Sequence, residues 1–181
     1  MNIKERLDIL RKTIQEEDFF LGKGLSNEVN IRMFCYDPKD EMEIRDFTDR
    51  LSKEILRYKV DIVDLYEVFL SICEDQGILE FIPAMEEEDG KEFLAQQLEQ
   101  LIDANVFADK IMEDFSDNIL LITGVGKVFP FMRIHALLNA LQYKSNNVPI
   151  VVLYPGTFDG HYVKLFNKLK ANEYYRAFNI I

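Results

Sequence analysis

The sequence predicts a three-layer α/β fold, with a mostly parallel central sheet of about five strands and helices on both faces. Three observations carry that expectation. Short, unbroken apolar runs recur along the chain. Stretches with apolar residues at helical spacing separate them. Of the 181 residues 48% are apolar and 29% charged, enough to build a packed core. Apolar strands alternating with amphipathic helices are what a buried parallel sheet requires. The same balance sets disordered and collagen-like classes aside.

Residues 2–17 open the chain with Ile3, Leu7, Leu10 and Ile14 on one helical face, and Gly22-Lys23-Gly24-Leu25-Ser26 reads as a helix-ending turn. Residues 31–36 (IRMFCY) read as a buried strand. Asp37-Pro38 then looks like a helix start, with Asp as cap and Pro at the first helical position. The helix that follows, to about Tyr58, carries Ile44, Phe47, Leu51 and Ile55 on one face. Residues 60–65 (VDIVDL) form the second strand, also expected to be covered on both faces, and a helix with Tyr66, Phe69, Ile72 and Cys73 follows.

The crossover between the second and third strands is long, at about residues 66–117, and is expected to be a helical insertion within one 1–181 domain. Within it, Asp89-Gly90-Lys91-Glu92 has capping-box spacing, with Asp89 as the cap of the next helix. That leaves Glu86, Glu87 and Glu88 in a polar loop. Phe93, Leu94, Leu98, Leu101 and Ile102 continue the stripe, and a short helix is expected over 106–115. Residues 118–123 (NILLIT) are the clearest strand, and a Gly-rich loop, 124–129, leads to a helix from Pro130. Residues 148–154 form a fourth strand, 154–157 a turn, Tyr162, Val163, Phe166 and Leu169 a last helix, and 175–180 a short closing strand.

The formal net charge is −11, and it is unevenly placed: −15 over residues 1–116 and +4 over 117–181. An acidic chain has no general grip on nucleic acid or anionic lipid, so a membrane role is not expected. Such asymmetry instead suggests an oriented partner surface, and Glu86, Glu87 and Glu88 mark its acidic patch. Cys35 and Cys73 lie among apolar neighbours and read as buried, reduced thiols. No leader pattern or membrane-length apolar run is present, so a cytoplasmic protein is expected.

Thr123-Gly124-Val125-Gly126-Lys127 follows a strand and precedes a helix, as the end of a phosphate-binding P-loop does. The P-loop needs a Gly five residues before Gly126 and a hydroxyl after Lys127; Leu121 and Val128 stand there. A small anion site at the loop stays open, as does a plain tight turn. His135 falls at the margin of its helical stripe and His161 in a polar turn, with no Cys or acid at metal-ligand spacing, so no metal site is expected. Ligands of open parallel sheets bind beyond the carboxyl ends of the strands. The residues that could converge there are Asp37, Thr123, Gly124, Gly126, Lys127, Arg133, His135 and Thr157, with Phe129 as a possible exposed anchor. None forms a recognisable catalytic set, so an enzyme is not expected and no cofactor is implied.

The string from Leu121 through Gly124-Val125-Gly126-Lys127-Val128-Phe129-Pro130-Phe131 and Arg133-Ile134-His135 to Leu141-Gln142 resembles the BrxB family. Tyr154-Pro155-Gly156, Leu165-Phe166, the ending Tyr174-Tyr175-Arg176-Ala177-Phe178-Asn179, and Gly24-Leu25-Ser26-Asn27-Glu28 with Tyr36-Asp37-Pro38 fit the same pattern. The family belongs to BREX bacteriophage-exclusion systems. The resemblance implies a small cytoplasmic defence component working beside a methyltransferase, a large ATPase and a PglZ-type phosphatase-like protein, the last being the expected partner. It supplies no catalytic residues. Two classes of function therefore stand: a non-enzymatic assembly or adaptor subunit, and a nucleotide- or nucleic-acid-binding module with an anion site at Gly124–Lys127.

Overall fold

The computed structural model describes residues 1–23, 29–116, 118–145, 148–159, 161–170, 172–173 and 178–181. Among these, four parallel strands build the centre: β1 (Ile31–Tyr36), β2 (Val60–Asp64), β3 (Ile119–Thr123) and β4 (Ile150–Phe158). The order is β2-β3-β4-β1, with β7 (Phe178–Asn179) parallel beside β1. Two further strands, β5 (Tyr162–Leu165) and β6 (Asn172–Glu173), extend β4 as an antiparallel ribbon.

Strand alternation splits the core in two. Ile31, Met33, Leu120, Ile122, Ile150, Val152 and Tyr154 point to one face, and Phe34, Tyr36, Ile119, Leu121, Val151 and Leu153 to the other. Helices α1 (Ile3–Thr13) and α3 (Glu41–Leu51) cover the second face through Leu7, Leu10, Ile44, Phe47 and Leu51. The first face is covered by α4 (Leu65–Asp75), α6 (Lys91–Leu101), α7 (Ala104–Glu113), α8 (Val125–Val128) and α9 (Ile134–Lys144). The layered fold expected from the apolar runs is the one observed: β1, β3 and β4 bury both faces because both faces carry apolar side chains.

Two short helices complete the set, α2 (Glu17–Phe20) and α5 (Ile82–Asp89). Several local readings change. Residues 60–64 do form a strand, but at the sheet edge, where every residue is only half-buried. Asp61 and Asp64 put polar side chains on that edge strand. Residues 154–157 are not a turn: β4 runs on to Phe158, because its second half finds an antiparallel partner in β5. The helix placed over 162–169 is therefore β5 and a turn. Apolar residues spaced by three or four fit a helix, but Val163 and Leu165 are also spaced by two, and β4 supplies the hydrogen bonds.

Glu86–Glu88 lie in α5, not in a loop. Asp89 ends that helix, and Gly90, at φ 83°, is the residue that separates α5 from α6; no side chain caps α6. The helix expected from Pro130 begins at Ile134, after α8 has taken up the Gly-rich loop. Asp37 does cap a short 3-10 turn at Pro38–Asp40, its carboxylate accepting from the Lys39 amide at 3.1 Å. Cys73 is buried, whereas Cys35 is only partly so. Gly24–Glu28 and Tyr174–Ala177, quoted above for the resemblance, lie outside the described residues, as do Gly160 and the start of the strand expected over 175–180.

Candidate functional site

The carboxyl ends of β1, β2 and β3 meet above the sheet, and there the Gly-rich segment turns. Gly124 caps α8 in the left-handed region, at φ 76°. A side chain there would run into the Asp64 carboxylate and come within 3.1 Å of the Leu65 amide. The chain thus packs its backbone directly against the end of β2, which only glycine allows. One turn on, the Lys127 ammonium pairs with Asp64. The other Asp64 oxygen accepts from the Tyr66 amide at 2.9 Å and so caps α4. One carboxylate therefore ties three elements together.

Beside this tie lies a recess of about 240 Å³, lined by Tyr36, Arg45, Gly126, Lys127, Pro155 and Phe166 among others. The Tyr36 hydroxyl donates to Glu41 at 2.6 Å, and Glu41 accepts from Arg45 at 3.0 Å. Burial, and then the hydrogen bond to Glu41, push the Tyr36 pKa up, so this phenol stays protonated. Phe166 reaches over from beyond β5; its amide donates to the Pro155 carbonyl at 2.7 Å, and a Cβ on Gly126 would lie 2.6 Å from its ring. The aromatic ring and the Asp64 carboxylate occupy the two positions an anion would need, the space over Gly126 and the charge of Lys127. That arrangement weighs against phosphate capture at this loop.

The expected convergence is partial. Gly124, Gly126 and Lys127 do meet at the strand ends, with Thr123 in register beside Asp64. Asp37 is close in sequence to the recess but faces outward, paired with Lys39 at 3.0 Å. Thr157 is carried away along β4, opposite Lys164 of β5. Phe129, Arg133 and His135 belong to a different cleft, beside α8 and α9. Burial, and then Arg133, lower the His135 pKa, so this imidazole is neutral at neutral pH. His161 is exposed.

Asp64, Glu41, Arg45 and Phe166 were missed by reasoning from spacing. An acid at the last position of a strand and directly before a helix is a capping signal that could have singled out Asp64. Phe166 had none, since its role comes from the β5 ribbon. Among the described residues no group of three or more His, Cys, Asp or Glu side chains is arranged to hold a metal, and no helix is long and apolar enough to cross a membrane.

The helical segment between β2 and β3 presents another kind of surface. Glu86, Glu87 and Glu88 are all exposed on α5. Nearby in the chain, Phe81 (54% exposed), Phe93 (47%) and Leu101 (47%) leave large apolar side chains in water.

Residues 61–180 match the family model described as BREX protein BrxB. A Bacillus cereus (strain H3081.97) protein named BREX protein BrxB is 37% identical, over 99% of this chain and 97% of its own length. A protein of the same name from Escherichia coli O9:H4 (strain HS) is 25% identical, over 99% of this chain and 92% of its own. No solved structure matches the chain.

Proposed function

Because this chain belongs to the BrxB family, a component of the BREX phage-defence system, we propose that it acts there as a non-enzymatic assembly or adaptor subunit, and that it binds the PglZ-type component directly. The observation that supports this reading most is the acidic, aromatic surface of α5 and α6. Exposed Phe81, Phe93 and Leu101, which flank Glu86–Glu88 in the chain, offer apolar contact area along with strong charge, as partner surfaces do. The strand-end recess adds support from the other side. Its cation is paired with Asp64, and the space over Gly126 is taken by the Phe166 ring.

The test is co-purification of the tagged protein with its operon products. The PglZ-type protein should co-elute at micromolar concentration and low salt. If no neighbouring product co-elutes, the adaptor reading falls.

A further inference from the structure

A cleft of about 300 Å³ opens beside α8 and the start of α9. Its walls are apolar: Val125, Met132, Val163 and Leu165 are buried, and Phe129 stands half in water at the rim. Tyr154, only 2% exposed, also lines it. The ionisable side chains of the lining are otherwise Arg133, His135 and Lys170, and no carboxylate lines it.

The charge of that lining is opposite in sign to the chain as a whole. The chain carries 32 Asp and Glu against 21 Lys and Arg. Lys110, Lys127 and Lys144 each sit on a carboxylate, whereas Lys12, Lys91, Lys164 and Lys168 have no ion pair among the described residues. Arg133 and Lys170 are exposed and make no ion pair among the described residues. Two uncompensated cations beside an apolar cleft on an acidic protein form a local field of opposite sign to the whole. The volume lies at the small end of the ~300–1,000 Å³ range of ligand pockets, which suits one anchoring side chain better than a whole cofactor.

We infer that this cleft docks an extended acidic segment of a partner protein, with one aromatic side chain of that segment seated among Val125, Met132 and Leu165 and its flanking carboxylates facing Arg133 and Lys170. The aromatic anchor supplies buried area, and the carboxylates supply register and orientation. This surface is distinct from the acidic one on α5, so the protein carries one docking site of each sign. The inference rests on reading the chain as an assembly subunit.

The test uses the full chain and a synthetic, end-blocked acidic pentapeptide with a central phenylalanine. Methyl resonances of Val125, Met132, Val163 and Leu165 should shift on titration. Arg133→Glu with Lys170→Glu should weaken binding at least about tenfold, the sum of two exposed charge reversals. Arg133→Lys should keep most of it. Both positions are exposed, so these variants fold, and unchanged resonances in the α1–α3 layer verify that. No methyl shift at millimolar peptide overturns the inference. So does equal binding of the same peptide with alanine at its centre or lysines for its acids, and so does free phenylpropionate matching the peptide, which would make the cleft a small-molecule pocket. Co-purification separates this from the adaptor reading. If wild type and the double variant retain the PglZ-type protein and other operon products equally, the cleft inference falls and the adaptor reading stands. If wild type retains none, the adaptor reading falls, and the peptide titration alone judges the cleft.

Discussion

The Asp64 carboxylate holds the Lys127 ammonium on one oxygen and the Tyr66 amide, in the first turn of α4, on the other. Lys127 follows β3 and Asp64 ends β2, the neighbouring strand, so the pair joins the carboxyl ends of two adjacent strands. The lysine that looks like a phosphate ligand in the sequence is paired with a carboxylate here.

Mg²⁺-ATP should accordingly not bind. Calorimetry at micromolar protein and nucleotide should show no saturable heat, with Lys127→Ala indistinguishable from wild type. Saturable heat that Lys127→Ala abolishes would restore the nucleotide-binding reading. The pair itself is partly exposed, so its loss should cost under about 1 kcal/mol of stability.

Gly124→Ala should destabilise the fold by about 1–3 kcal/mol, the cost of a left-handed non-glycine residue, with the added methyl also pressing on Asp64. Urea midpoints measure it. Combining it with Asp64→Ala should cost less than the two changes summed, because the smaller side chain removes the collision.

His135 gives a pH signature. Its pKa is lowered in the folded state, by burial and then by Arg133. Above the unfolded value of about 6.5 the imidazole is neutral in both states, and its contribution to stability is fully present. As pH falls through 6.5 toward the folded pKa, the unfolded chain takes up the proton first and stability drops. His135→Gln should lose less stability than wild type between pH 7 and 5, as read from paired denaturation curves.

Both thiols should resist modification. Burial pushes Cys35 up to about 12, against a smaller opposing effect of Arg6, and burial raises Cys73 as well. At pH 8 a thiol-disulfide reagent should label neither residue in the native protein within minutes and both in denaturant. Rapid native labelling of Cys35 would show that its pocket opens.

Glu86, Glu87 and Glu88 reversed to Lys should slow association with the PglZ-type protein and leave its dissociation rate nearly unchanged, because rim charges steer encounter. Raising salt should slow the wild type in the same way. All three side chains are exposed on α5, so thermal unfolding should shift little. An unchanged on-rate would remove the acidic patch from the interface.

The layered fold was legible in the sequence because burial on two faces leaves a local mark: a run such as Ile119–Ile122 has no polar position to turn outward. The Asp37 cap was legible because its side chain acts on an amide two residues away, whereas the Asp89 cap expected for α6 did not form and the Asp64 cap of α4 was not singled out. What lay beyond one helical turn was not legible. Tyr162–Leu165 carries apolar residues that suit a helix or a strand, and only the β4 backbone alongside decided for strand. That decision carried Thr157 away from the strand ends and brought Phe166 over Gly126. The partner of Lys127 was likewise out of local reach: it is Asp64, 63 residues earlier in the chain. Local sequence determines which surfaces must be buried, since transfer from water depends on the side chain itself; which polar groups meet is decided by strand order and register, because hydrogen bonds and ion pairs act only over a few ångströms.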